Sequence, residues 1–555
     1  MGKSKRKKTN FLVQGSILAI ASIISRIIGL IYRIPMTEII GDVGNNYYGC
    51  AFDVYNIVLI ISSCSLPQAV SKMVSAQVAK GRYKSAYQVF KGSMLFGLIS
   101  GIAAGLIVYF GAAFFTGTLL KTPYSVFALK VLAPVLIVVA VLGVLRGFFQ
   151  GLGTMMPSAV SQIIEQIVNA IVSVWAAYVL FGYGTRIGAV LGDSEHYGAA
   201  YGAAGGTLGT GIGAVAGLLF MIFVYVVYMR VFKKRMRREK NSKASPFWHT
   251  FKLLIITVIP VLLSTTIYNV SGIIDQGIFK NVALLQGYTE HEVDVWWGVF
   301  SGKYKLLINI PIAIASAMAA SAVPTLTASF VGKDMDRVRS QIHAATRFVM
   351  IIAFPCTVGL TALAKPIFLL LFPGTAGTAD LAASMMLWGS TAVVFYALST
   401  LSNGLLQGID RLKIPVINAV IALVAHVILL VLLMMFFRLN IYAVVLANIF
   451  FALLMCILNA RALRKYGGYR QEIKKTFVIP LASSILMGAA TYLTYLGLYK
   501  LCGINAVATL AAILVAVLVY ALALLLLRGV NEEDLMSFPK GALVIKITKK
   551  LHLLH

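Results

Sequence analysis

The sequence predicts an all-α polytopic membrane protein with about 14 transmembrane helices, arranged as two parallel six-helix lobes plus two C-terminal helices. Three observations carry this reading. Of 555 residues, 59% are apolar and only 12% charged, with a mean hydropathy of +0.87, whereas about a quarter of a soluble chain is charged. Apolar runs long enough to cross a bilayer recur along the chain, and marker residues of its two halves repeat at a fixed offset. Such a composition excludes a soluble enzyme and a disordered chain. A net charge of +29 would point to nucleic acid in a soluble protein. In a membrane protein it reports loops facing anionic lipid, so membrane lipids are expected partners and nucleic acid is not. Cys50, Cys64, Cys356, Cys456 and Cys502 lack metal-ligand spacing, so neither a disulfide framework nor a metal site is expected.

A spanning helix needs roughly 20 apolar residues. Runs of that length, cut at charged or Gly/Pro-rich breaks, fall at 11–32, 46–68, 89–111, 126–149, 158–181, 199–229, 252–279, 297–324, 342–364, 382–406, 414–437, 441–462, 476–499 and 504–527. The basic start, Lys3, Lys5, Arg6, Lys7 and Lys8, precedes an apolar run that continues to Tyr32. That is too long for the core of a signal peptide, so a retained first helix is expected. Placing this basic end inside leaves only Arg33, Lys121, Arg186, Lys280, Lys365, Arg438 and Lys500 outside. The inner segments, with adjoining helix ends, hold 36 Lys and Arg. This positive-inside asymmetry puts both termini in the cytoplasm.

Arg146-Gly-Phe-Phe-Gln-Gly151 closes the fourth run and Asn403-Gly-Leu-Leu-Gln-Gly408 the tenth, 257 residues on. Pro67 and Pro324 share that offset, and Pro157 and Pro415 follow at 258. A duplicated six-span unit is a transporter architecture, with substrate expected near the midplane between lobes. The expected domains are an N-lobe (1–229), a basic cytoplasmic linker (230–251), a C-lobe (252–462), the last two helices (463–527) and a cytoplasmic tail (528–555).

Ionisable residues within apolar runs are expensive and therefore candidates. Arg26, Arg33, Lys303 and Lys305 form the cationic set, suited to an anionic headgroup because guanidinium and ammonium groups pair strongly with phosphate. Asp53, Glu165 and Asp275 could couple transport to an ion or pair with those cations, and His426 reads as a hydrogen-bonded packing residue. Two glycine ladders, Gly198, Gly202, Gly206 and Gly205, Gly209, Gly213, Gly217, predict close helix packing. A phosphate loop would need a Lys-Ser/Thr pair after them, which the sequence lacks. No catalytic motif is found. The acids Asp193, Glu195, Glu290, Glu292 and Asp294 are the only loop clusters that a membrane glycosyltransferase or polymerase could use.

Several local motifs, in order along the chain, carry a family resemblance: Ser25-Arg-Ile-Ile-Gly29, Ile31-Tyr-Arg-Ile-Pro35, Ile40-Gly-Asp-Val-Gly44, Leu66-Pro67, Ser71-Lys72, Ser161-Gln-Ile-Ile-Glu-Gln166 and Leu406-Gln-Gly408. With them the chain resembles the MOP superfamily of lipid-linked oligosaccharide flippases, within it the YtgP branch of lipid II flippases, related to the MurJ and stage V sporulation protein B groups. The resemblance implies no cofactor and a plasma-membrane flippase for an undecaprenyl-pyrophosphate-linked sugar, first of all lipid II. Cell-wall synthesis proteins are the further partners it suggests. It also implies that Arg26 contacts the pyrophosphate, that Lys305 stands where relatives have a functional arginine, and that Arg33 is a shifted match to another. Where the family has an arginine in its second span, this chain has Asp53. The last two helices would form a groove for the lipid tail. The alternatives are a flippase for another lipid-linked polysaccharide unit and a drug/cation antiporter, for which a cationic cavity is ill suited.

Overall fold

The computed structural model describes residues 2–64, 66–239, 270–411 and 413–527, with isolated positions 248, 252 and 529. The start of the seventh expected span, part of the basic linker and nearly all of the tail lie outside the described residues. Within them the chain is helical, with no strand. It folds as two compact units, residues 1–302 and 303–555.

The first unit contains α1 (Gly2–Leu59), α2 (Leu66–Ala79), α3 (Tyr83–Ala113), α4 (Val126–Leu132), α5 (Val135–Gly151), α6 (Met156–Leu191), α7 (Ser194–Arg238), α8 (Ser271–Leu285) and α9 (Glu290–Val299). As one rod, the 58 residues of α1 would extend ~87 Å, nearly three hydrocarbon thicknesses. Gly41, at φ 69° and ψ −176°, breaks it into two arms, a conformation only glycine adopts without strain. Asn45 stitches the break: its Nδ2 donates to the Gly41 carbonyl (2.8 Å) and its Oδ1 accepts from Thr37 (3.2 Å).

The glycine ladder performs the packing its spacing predicts. A Cβ on Gly205, Gly209 or Gly213 would lie 2.4, 2.1 or 2.6 Å from Ala176, Ser173 or Glu165, so α7 meets the α6 backbone directly. Between helices in lipid there is little hydrophobic drive, and close van der Waals approach replaces it. The second arm of α1 meets the segment after α8 in the same way. Gly298 sits where a Cβ would come within 1.8 Å of the Asp42 carbonyl oxygen, and Gly302 faces Asn45.

The second unit contains α10 (Lys305–Val331), α11 (Met335–Ala362), α12 (Ala364–Leu371), α13 (Ala379–Gly389), α14 (Ala392–Gly408), α15 (Lys413–Met435), α16 (Asn440–Gly467), α17 (Ile479–Cys502) and α18 (Asn505–Leu526). Here the repeat becomes physical. Gly147 and Gly151 of α5 pack on Pro67, Val70 and Val74 of α2, while Gly404 and Gly408 of α14 pack on Ala319 and Leu326 of α10. The marker glycines therefore make equivalent helix crossings in each unit.

Among the described residues, ten helices are long and apolar enough to cross a membrane, or eleven if the bent pair Pro373–Gly389 and Ala392–Gly408 counts as one span. The expected fourteen is not reached among the described residues, for identifiable reasons. The first two expected spans run as one helix broken at Gly41, and most of the seventh is not described. The eighth corresponds to the 27-residue α10, which is not among the ten. The seventh also ends later than expected: α8 runs to Leu285, so Lys280 is a helix residue rather than a loop residue.

Gly298→Ala should lower the melting temperature in detergent, because forcing a methyl group against the Asp42 carbonyl costs ~1–3 kcal/mol, as overpacking usually does. Gly182, whose Cβ would meet nothing within 4 Å, is the control. Gly182→Ala should leave the melting temperature unchanged or raise it, and equal behaviour of the two variants would contradict a tight crossing at Gly298.

Candidate functional site

Each ionisable side chain in an apolar helix must find a partner or reach water, and the candidates divide on that criterion. Arg26 stands apart. Ser22, Arg26, Gly29 and Arg33 share one face of α1 through their i, i+4, i+7 spacing. On this face Ser22 donates to Gln162 of α6 (3.2 Å), and Gly29 leaves room for Gln166, whose Oε1 would lie 3.7 Å from a Cβ. The Ser-Arg-Ile-Ile-Gly motif thus packs on the Ser-Gln-Ile-Ile-Glu-Gln motif. Arg26, between these contacts, is exposed and has no polar partner among the described residues.

Arg33, two turns on, is half-buried. Its guanidinium carbon lies 4.7 Å from the Tyr48 ring centre and 5.7 Å from that of Phe52, and the Asp53 carboxylate acts on it electrostatically. Beside it, the Tyr32 hydroxyl accepts from Asn169 (3.3 Å). Arg26, Arg33, Asp53, Glu165 and Asp275 all belong to the first unit, and Lys303 and Lys305 to the second. Lys303 is fully buried; its Nζ donates to Thr378 Oγ1 (2.6 Å) and the Thr375 carbonyl (3.3 Å) and faces the Phe372 ring. These bonds tie the π-helical turn Phe300–Tyr304 to the turn Pro373–Thr378, an anchoring geometry. Lys305 is half-exposed.

Glu165 pairs with a cation outside the expected set. Arg146 donates from Nη2 to Glu165 Oε2 (2.7 Å) and from Nε to Ser161 Oγ (2.8 Å). The repeat clarifies this contact. Arg146 has its counterpart 257 residues on in Asn403. In the second unit Asn459 bridges that position, donating to Asn403 (2.7 Å) and Ser402 (2.9 Å) and accepting from Asn418 (2.9 Å). One unit therefore uses an ion pair where the other uses amides. His426 packs as expected, with Nδ1 2.8 Å from the Ala447 carbonyl oxygen and its ring edge-on to Phe451.

Asp275 is buried on α8 together with Lys280. Lys280, which no sequence signal distinguished from a loop cation, is fully buried and donates to Asp294 (2.9 Å) and Thr122 (2.6 Å). Four of the five acids considered for catalysis have structural partners. Asp294 holds Lys280, Asp193 caps α7, Glu292 closes a capping box with Thr289, and Glu195 lies 3.9 Å from His291. Burial raises the Asp193 carboxyl, but hydrogen bonds from Tyr124 and His196 outweigh it and hold the group below the usual carboxylate range. Bonds from the Thr289 backbone and hydroxyl lower Glu292 similarly.

If Glu165 is a staple, Glu165→Gln should lower the melting temperature by weakening the hold on Arg146 and leave any pH or sodium dependence of transport unaltered. Breaking one side of a buried pair costs ~3 kcal/mol, and an apolar replacement of both sides should recover much of it. Altered ion dependence without loss of stability would instead make Glu165 a coupling group.

Residues 12–330 match the family model described as polysaccharide biosynthesis protein, and 306–432 match that described as MatE. The chain is 26% identical to the lipid II flippase MurJ of Bacillus subtilis (strain 168), over 86% of this chain and 87% of that protein. It is 24% identical to stage V sporulation protein B of the same organism, over 97% and 100%. Its fold is similar to a solved lipid II flippase MurJ in an inward closed conformation, with a TM-score of 0.63 and 16% identity, covering 91% of this chain and 97% of that one. With one family model spanning more than half its length, this multi-pass membrane protein belongs to the polysaccharide biosynthesis protein family.

Proposed function

We propose that the protein is a flippase that moves undecaprenyl-pyrophosphate-linked peptidoglycan precursor, lipid II, from the inner to the outer leaflet of the bacterial plasma membrane by alternating access. It acts by binding and moving lipid, with both termini cytoplasmic. The observation that carries this reading is Arg26: an exposed guanidinium in an apolar helix, with no protein partner among the described residues, beside the amides of Gln162 and Gln166. Retaining such a group is costly unless an anionic cargo uses it. Arg33 adds positive charge in the same unit, and Lys305 is a candidate cation of the second unit, following the turn that Lys303 holds. Export of another lipid-linked polysaccharide unit is the second reading, favoured by the family model and by the full-length similarity to stage V sporulation protein B.

Conditional depletion should leave the cargo's lipid-linked precursor accumulating in the inner leaflet, and its headgroup decides between the two readings. Arg26→Ala and Lys305→Ala should each abolish complementation at normal membrane abundance. Charge-assisted hydrogen bonds are worth ~1.5–3 kcal/mol, a tenfold or greater loss of affinity. Arg33→Ala should be milder, and Lys303→Ala should act chiefly on thermal stability. Normal growth with both Arg26 and Lys305 replaced would overturn the assignment.

A further inference from the structure

The first unit holds a cavity of about 310 Å³, lined by Asp53, Asn56, Ile57 and Ile60 of α1 and its π-helical extension and by Gly272 and Ile273 of α8. Its chemistry is at odds with a purely anionic cargo. A carboxylate on this wall, electrostatically coupled to Arg33, repels phosphate and dilutes the attraction that Arg33 would otherwise provide. Gly272 keeps this side of the cavity open: a Cβ there would lie 3.9 Å from Asp53 Oδ2.

Asn56 supplies an amide to the lining, and two further polar side chains lie on the same two helices outside it. Gln276, one turn beyond Gly272 on the same face of α8, is fully buried with neither carboxamide atom hydrogen-bonded among the described residues. The same holds for Asn46, two turns before Asp53 on its face of α1. Buried polar groups without protein partners mark places where water or a ligand completes the bonding. Apart from Asp53, Asn56 and Gly272, the lining is aliphatic: Ile57, Ile60 and Ile273. A carboxylate and an amide above a branched aliphatic floor match a primary alkylammonium, whose methylenes lie on isoleucine while its charge meets the acid.

We propose that the Asp53 cavity reads a primary amine on the cargo headgroup, so that Arg33 and Asp53 together recognise a headgroup bearing both charges. The inference rests on the flippase reading and deepens it. A cargo with an aminoalkyl side chain is favoured over lipid-linked sugars that lack one.

The test uses the full-length protein in nanodiscs and three probes: undecaprenyl pyrophosphate, a lipid-linked muropeptide with a free lysine ε-amine, and the same lipid with that amine acetylated. The wild type should bind the free-amine lipid at least tenfold more tightly than the acetylated one. Asp53→Asn should reduce that preference below twofold while undecaprenyl pyrophosphate still binds, at least as tightly as it binds the wild type. Gly272→Leu, which fills the cavity while keeping the carboxylate in the chain, should do the same. Equal wild-type affinity for the free and acetylated lipids, with the carrier still bound, overturns the amine subsite and leaves the flippase reading standing. Failure to bind any of the three overturns both. An Asp53→Asn variant that keeps the preference but loses sodium or proton dependence overturns the subsite in favour of ion coupling.

Discussion

The arrangement depends on one constraint: a charge placed in an apolar slab must be neutralised by a fixed partner or by something that comes and goes. At the centre of a spanning helix an unpaired Arg, Lys or Asp costs ~2.5–3.5 kcal/mol even on lenient insertion scales. Arg146, Lys280 and Lys303 meet the constraint with fixed partners, and each thereby ties elements together. Arg146 holds α5 to α6, Lys280 joins α8 to α9 and to the Thr122 turn, and Lys303 binds the turn before α10 to that after Phe372. Arg26 has no such fixed partner among the described residues. That contrast separates the charges that build the scaffold from Arg26, which under the proposed function meets the cargo.

Packing follows from the same solvent. Because lipid tails are as apolar as leucine, helices here associate through close approach and internal hydrogen bonds. The ladder on α7, the crossing at Gly298 and the matched crossings at Gly147 and Gly404 are the same solution used four times. The duplicated halves keep their glycines but diverge in their polar stitching, with Arg146 and Glu165 in one and Asn403, Asn418 and Asn459 in the other. The position that holds an arginine in one half thus holds an asparagine in the other, and each is tied by hydrogen bonds to a neighbouring helix.

Much of this was legible in sequence because it depends on local pattern. Apolar run length gave the helices, i, i+4 glycine spacing gave the α6–α7 contact, and a constant offset gave the repeated crossings. The number of spans was less legible, because a break such as Gly41 can keep two runs on one helix and charged residues such as Lys280 can lie within a helix. Partner choice was illegible for a different reason. Glu165 pairs with Arg146, nineteen residues away in sequence, and Lys280 with Asp294 across a hairpin, contacts decided by where helix faces meet rather than by any motif.

The sign of the charges also bears on energy. A pyrophosphate-linked headgroup carries roughly two negative charges, so outward movement from a negative interior gains up to ~4.6 kcal/mol per 100 mV. A binding site left positive by release would be drawn back inward by the same field. The most direct measurement follows outer-leaflet exposure of a fluorescent undecaprenyl-pyrophosphate-linked muropeptide in vesicles containing the full-length protein, with potential and pH gradient imposed separately. Exposure that requires the protein, rises with the potential at constant pH and is lost in Arg26→Ala is expected. Exposure no greater than in protein-free vesicles, or indifferent to Arg26, would contradict the proposed role.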